Sequence, residues 1–117
     1  MTFTQIDNYL LSKNGASFDY PFDDKVRVYK VCNKMFALIG DESPLKINLK
    51  CNPIYALELR SLYNSILPGY HMNKKHWNTV TIQGDVDDKL LFELIDHSYE
   101  SVISGLTKKQ REELKKR

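Results

Sequence analysis

The sequence predicts one two-layer α+β domain, in which a mostly antiparallel five-stranded sheet has its helices packed on one face. A chain of 117 residues with 42% apolar residues can bury a single modest core, so residues 1–117 are expected to form one domain. Apolar spacing alternates between helical and strand periods in the order helix, three strands, helix, two strands, helix. Helices and antiparallel strands in that order pack most simply as two layers.

The first half of the chain is predicted to contain one helix and three strands. Apolar residues recur at helical spacing over residues 3–10, and Thr2 or Thr4 can cap that helix. The aromatic, proline-containing segment 17–24 is expected to be an ordered loop. Residues 25–31 and 35–40 are β-branched or continuously apolar, so they are predicted to be two strands of a hairpin. Residues 45–50 alternate apolar and polar side chains, which predicts a strand whose second face is wet and carries lysines.

The second helix is predicted to begin at Asn52 and Pro53, because Asn is a good N-cap and Pro is tolerated in the first helical turn. Its buried side is predicted to consist of Ile54, Leu57, Leu59 and Leu62. Residues 70–72 and 77–82 are then predicted to be two strands of a second hairpin.

The last helix is the longest predicted element. Asp85 or Asp87 can cap it, and a continuous apolar stripe follows over residues 90–106. The sequence at Thr107 fits a capping box, so the basic C-terminal tail at residues 107–117 is able to form one further short helix.

Charge is unevenly distributed along the chain. The net charge is only +2, yet residues 25–75 carry nine basic and three acidic residues, and residues 76–106 carry one basic and six acidic residues. Such segregation produces a basic face if the two segments point apart, and neutralises both if they meet. The sequence leaves both arrangements open.

No feature of the sequence indicates a membrane protein or a secreted one. No apolar run approaches the roughly 18 residues that span a bilayer, and the N-terminus does not have the pattern of a signal peptide. Cys32 and Cys51 form no CxxC motif and are expected to be reduced thiols, which favours a cytoplasmic location. No cofactor is expected.

The stretch PGYHMNKKHWNTV, residues 68–80, contains the only Trp and a Lys-Lys pair at a predicted hairpin tip. Positive charge and hydrogen-bond donors suffice for contacts to phosphates, and an exposed Trp77 or Tyr70 could stack on an unpaired base. The leading hypothesis is therefore weak DNA or RNA binding. The residues assigned to this site are Lys30, Lys34, Lys46, Lys50, Asn73, Lys74, Lys75, His76, Trp77 and Asn78.

The same hairpin and the segments around it resemble the MmcQ/YjbR family. These segments are MFALIG and INLKCNP upstream and LFELIDHSYESVISGL downstream. The resemblance runs from about residue 20 to residue 106. It implies a fold similar to the frataxin/CyaY and secretion-chaperone group of two-layer α+β domains. Family members are often labelled DNA-binding, and part of the fold looks like a double-wing DNA-binding motif. The resemblance supplies no catalytic residues.

The principal alternative is a protein-interaction module with no nucleic-acid role. An open sheet can add a partner strand at its edge or form a homodimer across its face. Aromatic side chains in segment 17–24 can also form an apolar patch.

Metal binding and catalysis have weaker support in the sequence. Acidic residues between positions 85 and 100 could hold a hard cation weakly. His71 and His76 flank a turn, but no third soft ligand is spaced with them. A Cys/His nucleophile would require Cys32 or Cys51 beside His71, His76 or His97. No catalytic motif supports that arrangement, so neither an enzyme nor a metal site is expected.

Overall fold

A computed structural model of the protein describes residues 1–69 and 72–117, and within them it has four helices and a six-stranded antiparallel sheet. The helices are α1 Phe3–Leu11, α2 Pro53–Leu62, α3 Asp88–Ser104 and α4 Lys108–Lys115. The strands are β1 Ser17–Asp19, β2 Val26–Val31, β3 Lys34–Gly40, β4 Lys46–Lys50, β5 Ile66–Pro68 and β6 Trp77–Thr81. The order across the sheet is β1-β2-β3-β4-β6-β5. The predicted α+β fold is confirmed.

The sixth strand and one shifted strand arise at the two edges of the sheet. Strand β1 lies in segment 17–24, where a loop was predicted. Its three residues pair with β2 but are all exposed, so they show no apolar alternation that would reveal a strand. Strand β5 replaces the strand predicted at residues 70–72. Of these, residue 72 lies outside any strand, and residues 70 and 71 lie outside the described residues.

Helix starts follow the predicted capping chemistry closely. Thr2 caps α1 in a capping box with Gln5, and Asn52 accepts hydrogen bonds from two backbone N–H groups at the start of α2. Of the two aspartates proposed for α3, Asp87 is the cap, with its Oδ1 2.8 Å from the Leu90 nitrogen. The predicted short helix at the C-terminus is also present.

One face of the sheet is covered by the helices and forms the main core. Ile47 and Leu49 of β4 lie in that core together with Leu94 and Ile95 of α3, which packs on β3 and β4. Helix α4 joins it through Leu114, whose carbonyl accepts a hydrogen bond from Asn14 Nδ2 at 2.9 Å. The basic tail is therefore packed against the domain.

The second face of the sheet, called the open face below, is less exposed to solvent than expected. Lys46, Asn48 and Lys50 of β4 point to it, as their alternation predicted, because their neighbours Ile47 and Leu49 face the core. However, a small apolar cluster shares this face, and its buried members are Val28, Leu38 and Trp77.

The predicted buried side of α2 is correct for Leu59 and wrong for its other three residues. Ile54, Leu57 and Leu62 are 79%, 63% and 63% exposed, whereas Ala56 and Leu59 are buried. Apolar residues occupy both sides of this short helix, so their spacing could not show which side faces the core. Polar contacts from Arg60 of α2 to β6, described below, instead orient the helix about its own axis.

No helix within the described residues is long and apolar enough to span a membrane.

Candidate nucleic-acid interface

The register of the sheet brings four lysines to one end of the strands. Val31 pairs with Lys34 at the β2–β3 hairpin, Lys50 ends β4 opposite Trp77, and the Cys51 nitrogen donates to the His76 carbonyl at 2.7 Å. Because β3 and β4 are antiparallel, the start of β3 lies beside the end of β4. We call this set, consisting of Lys34, Lys50, Lys74 and Lys75, the basic end.

The ammonium groups of the basic end are available to a ligand. Lys34, Lys74 and Lys75 are exposed and Lys50 is half-buried. None of the four forms an ion pair within residues 1–69 and 72–117. Lys30 lies at the same end but is partly neutralised, since its Nζ is 3.4 Å from Asp19 Oδ2.

The acidic segment does not neutralise the basic end. Asp96 of α3 contacts Lys13 and the Tyr9 hydroxyl, and Asp88 lies 3.9 Å from the N-terminal amine. Both of these partners belong to the first helix region, so within the described residues no ion pair joins residues 76–106 to residues 25–75. The ion pairs of the acidic segment are thus made with residues 1–13, while Asp85 accepts hydrogen bonds from the backbone N–H groups of Asn64 and Ser65.

Arg60 of α2 anchors the segment that carries Lys74 and Lys75. Its Nε donates to Asn78 Oδ1 at 2.6 Å, and its Nη2 donates to the Trp77 carbonyl at 3.2 Å and to the Lys74 carbonyl. Sequence reasoning missed this residue, because an Arg in the last turn of a helix is already explained by the helix dipole. The sequence shows no pattern that connects Arg60 to its partners, which lie 14 to 18 positions further along the chain.

Two residues assigned to the site, Asn78 and Trp77, are occupied by contacts within the protein itself. Asn78 is 3% exposed, accepts from Arg60 and donates from Nδ2 to the Ala56 carbonyl at 3.4 Å, so it does not face a ligand. Trp77 is 8% exposed and packs with Val28 and Leu38, so its ring is not available for stacking on a base.

Asn73 and His76 form the turn that leads into β6. Asn73 Oδ1 accepts from the Lys75 nitrogen at 3.0 Å, and the Asn73 carbonyl accepts from the His76 nitrogen at 3.1 Å. Asn73 is exposed and His76 is half-buried. Tyr70, the alternative stacking residue, lies outside the described residues.

Lys46 is separated from the other lysines of the proposed site. It also faces the open side of the sheet, but it lies four residues before Lys50, about 13 Å along the strand at roughly 3.3 Å per residue. The sequence-predicted set therefore divides into the basic end and a separate lysine near the other end of β4.

The surroundings of Cys51 and His97 disfavour their use as a nucleophile and its base. Burial raises the pKa of Cys51 to about 11, so this thiol stays protonated at neutral pH. His97 of α3 contacts the start of α2. It is half-buried, its Nε2 accepts from the Asn52 nitrogen at 3.1 Å, and burial lowers its pKa. Within the described residues, no three His, Cys, Asp or Glu side chains gather as metal ligands.

Comparison with known sequences gives a consistent set of relatives. The YjbR family model matches residues 11–101 of this chain. The uncharacterised protein YbdF of Escherichia coli O157:H7 is 37% identical over 97 residues, which cover 82% of this chain and 80% of the relative. The uncharacterised protein YjbR of Escherichia coli K12 is 31% identical over 112 residues, which cover 95% of each chain.

Solved structures show the same fold. A crystal structure of a Deinococcus radiodurans protein with the DUF419 domain superposes with a TM-score of 0.91 at 40% identity, covering 97% of this chain and 87% of that chain. A crystal structure of a Pseudomonas syringae protein superposes with a TM-score of 0.75 at 29% identity, covering 86% of this chain and 98% of that chain. The expected likeness to the frataxin/CyaY group stays a prediction.

Proposed function

Since this chain belongs to the YjbR family, whose relatives above are described without an activity, we propose a function from its geometry alone: weak, largely electrostatic binding of DNA or RNA at the basic end. One observation carries the proposal. Four lysines from three separate parts of the chain lie at one end of the sheet, and none of them forms an ion pair within the described residues. We also propose a cytoplasmic location, which the two free thiols support.

The size of the expected effect follows from the number of lysines. Each ammonium group that neutralises a phosphate releases condensed counterions, which gives affinity without sequence preference. With at most four phosphate contacts and the Trp77 ring buried, we expect a Kd on the order of 10⁻⁴–10⁻⁶ M. The buried Trp77 favours backbone contacts over base contacts.

The test compares two variants that lose the same charge at opposite ends of the sheet. Lys74→Ala/Lys75→Ala removes two charges from the basic end. Lys25→Ala/Lys89→Ala removes two exposed charges beside the start of β2 and in the first turn of α3, at the far end. Binding of a short fluorescent duplex and of a single strand is measured by anisotropy at low salt.

We expect the basic-end variant to bind at least about tenfold more weakly than the wild type, and the far-end variant to change by less than about threefold. Equal losses in the two variants would mean that only net charge matters and would reject the assigned site. Absence of binding by the wild type at low salt would reject the function.

A second candidate function, self-association, is favoured by the outward face of α2. Ile54, Leu57 and Leu62 are all more than half exposed on this helix, whereas exposed apolar residues on a soluble surface are usually scattered. The aromatic side chains Phe18 and Phe22 of the predicted apolar patch are also exposed.

Sizing by light scattering over a range of concentrations tests this candidate. A dimer that resists high salt and is dissociated by Leu57→Glu would favour a homodimer formed through α2. A monomer at every concentration would reject it. The control is Glu58→Gln, which alters the neighbouring exposed residue without adding a charge to the apolar face.

A further inference from the structure

A groove of about 730 Å³ crosses the open face of the sheet, away from the basic end. Its apolar lining includes Phe22, Val26, Leu38, Leu67 and Met72. It extends from β2 to β5, which is four strand spacings, or about 19 Å at roughly 4.8 Å each. Small-molecule sites typically have volumes of about 300–1,000 Å³, so this groove has the size of a ligand site.

The rim of the groove exposes apolar surface that a ligand would cover. Phe22 is 63% exposed and Leu67 is 58% exposed, and they lie on the β2 side and the β5 side of the groove. Leu38 between them is 5% exposed and belongs to the small apolar cluster of the open face. An apolar chain that runs from Lys46 over Leu38 toward the β2 side would remove Phe22 from water, which is favourable in proportion to the area buried.

One cation lies in this largely apolar groove. Lys46 is half-buried, lines the groove and forms no ion pair within the described residues. Its neighbour on the same face, Asn48, accepts a hydrogen bond from the Thr79 hydroxyl at 2.5 Å. Glu42 also borders the groove, beside Gly40. An ammonium group next to apolar walls complements an anionic head group joined to an apolar chain.

We propose that the open-face groove binds an amphipathic carboxylate of the medium-chain fatty-acid class. The carboxylate accepts hydrogen bonds from the Lys46 ammonium group, and the acyl chain lies over Leu38 and Val26 toward Phe22. This site is independent of the basic end, because it uses Lys46 and none of the four lysines assigned there.

Gly40 provides a way to fill the groove without disturbing the fold. It lies on the groove floor opposite Val26, and a Cβ placed on it would meet no atom closer than the Glu42 side chain, at 3.6 Å. That separation is an ordinary van der Waals contact. A leucine at this position is therefore expected to occupy the groove while the strand stays intact.

The experiment titrates decanoate, below its micelle concentration, into the wild-type protein by calorimetry. Decyltrimethylammonium, which has the same chain length and the opposite charge, is the matched ligand control. We expect one site for decanoate and at least about tenfold weaker binding of the cation, because a charge-assisted hydrogen bond is worth roughly 1.5–3 kcal/mol, which is about tenfold or more in affinity.

Three variants decide the outcome. Lys46→Gln and Gly40→Leu should each weaken decanoate binding by about tenfold or more, with thermal melting confirming that they fold. Lys74→Ala/Lys75→Ala should leave decanoate binding unchanged while it weakens nucleic-acid binding. The proposal is overturned if decanoate does not bind, if it binds no better than the cation, or if either groove variant binds it as the wild type does. It is equally overturned if NMR shows the groove covered by a second copy of the chain.

Discussion

Replacing Arg60 by methionine should destabilise the domain through the hydrogen bonds that this residue donates to the start of β6. Methionine keeps the aliphatic contacts of the side chain but cannot donate to Asn78 Oδ1 or to the carbonyls of Trp77 and Lys74. Asn78 is 3% exposed, so water replaces that donor poorly, whereas the Lys74 carbonyl lies in an exposed turn. One buried unsatisfied group costs about 1–3 kcal/mol and each of the two lost bonds to a carbonyl about 0.5–1 kcal/mol, so we expect a total loss of about 2–5 kcal/mol.

Urea denaturation followed by circular dichroism measures this loss as a change in the free energy of unfolding. A double-mutant cycle with Asn78→Ala then isolates the contact, because both single variants remove the Arg60–Asn78 bond. The coupling free energy should exceed about 1 kcal/mol. Additive effects, or a loss below about 0.5 kcal/mol for Arg60→Met, would refute the view that this arginine holds the Lys74–Lys75 segment in place.

Three further predictions concern the stability of the framework. Ser98→Ala should cost about 2–4 kcal/mol in urea unfolding, because Ser98 is fully buried and bridges a carbonyl of β3 and an amide of β4. Gly84→Ala should cost about 1–3 kcal/mol, since a Cβ there would lie 1.7 Å from Ser65 Oγ, and Ser65→Gly should relieve much of it. Hydrogen bonds from the Ser65 side chain and backbone lower the pKa of Asp85, so its carboxylate stabilises the fold above the ordinary pKa of 3.8. The difference in melting temperature between wild type and Asp85→Asn should therefore disappear as the pH falls through the lowered pKa.

Local signals in the sequence were sufficient for the long elements and their starts. The caps at Thr2, Asn52 and Asp87 act through side chains within three residues of the groups they satisfy, so spacing identifies the candidates. It left Thr4 and Asp85 open as alternatives for two of them. The alternation of β4 likewise assigned Lys46 and Lys50 to the open face. Edge strands β1 and β5 have three residues each, and pairing with a distant neighbour holds them, which no local pattern shows.

The exposure of Lys74 and Lys75 was predictable from the sequence, whereas the burial of Asn78 and Trp77 was not, and the binding site itself stays a prediction. Lys74 and Lys75 are exposed because a turn before an edge-proximal strand leaves long cations in water. Asn78 and Trp77 were misassigned because each has a partner far away in the chain, Arg60 for the amide and Leu38 for the ring. Those contacts depend on the order of strands across the sheet, and that order is a property of the whole fold.

The salt dependence of nucleic-acid binding tests the central claim most directly, namely that the basic end presents unpaired cations together. A plot of the logarithm of the association constant against the logarithm of salt concentration should have a slope of about −3 to −4 for duplex DNA, at roughly −0.9 per contacted phosphate. In Lys74→Ala/Lys75→Ala the slope should become shallower by about 2, and in Lys25→Ala/Lys89→Ala it should stay as in the wild type. The same slope in the wild type and the basic-end variant would contradict the account.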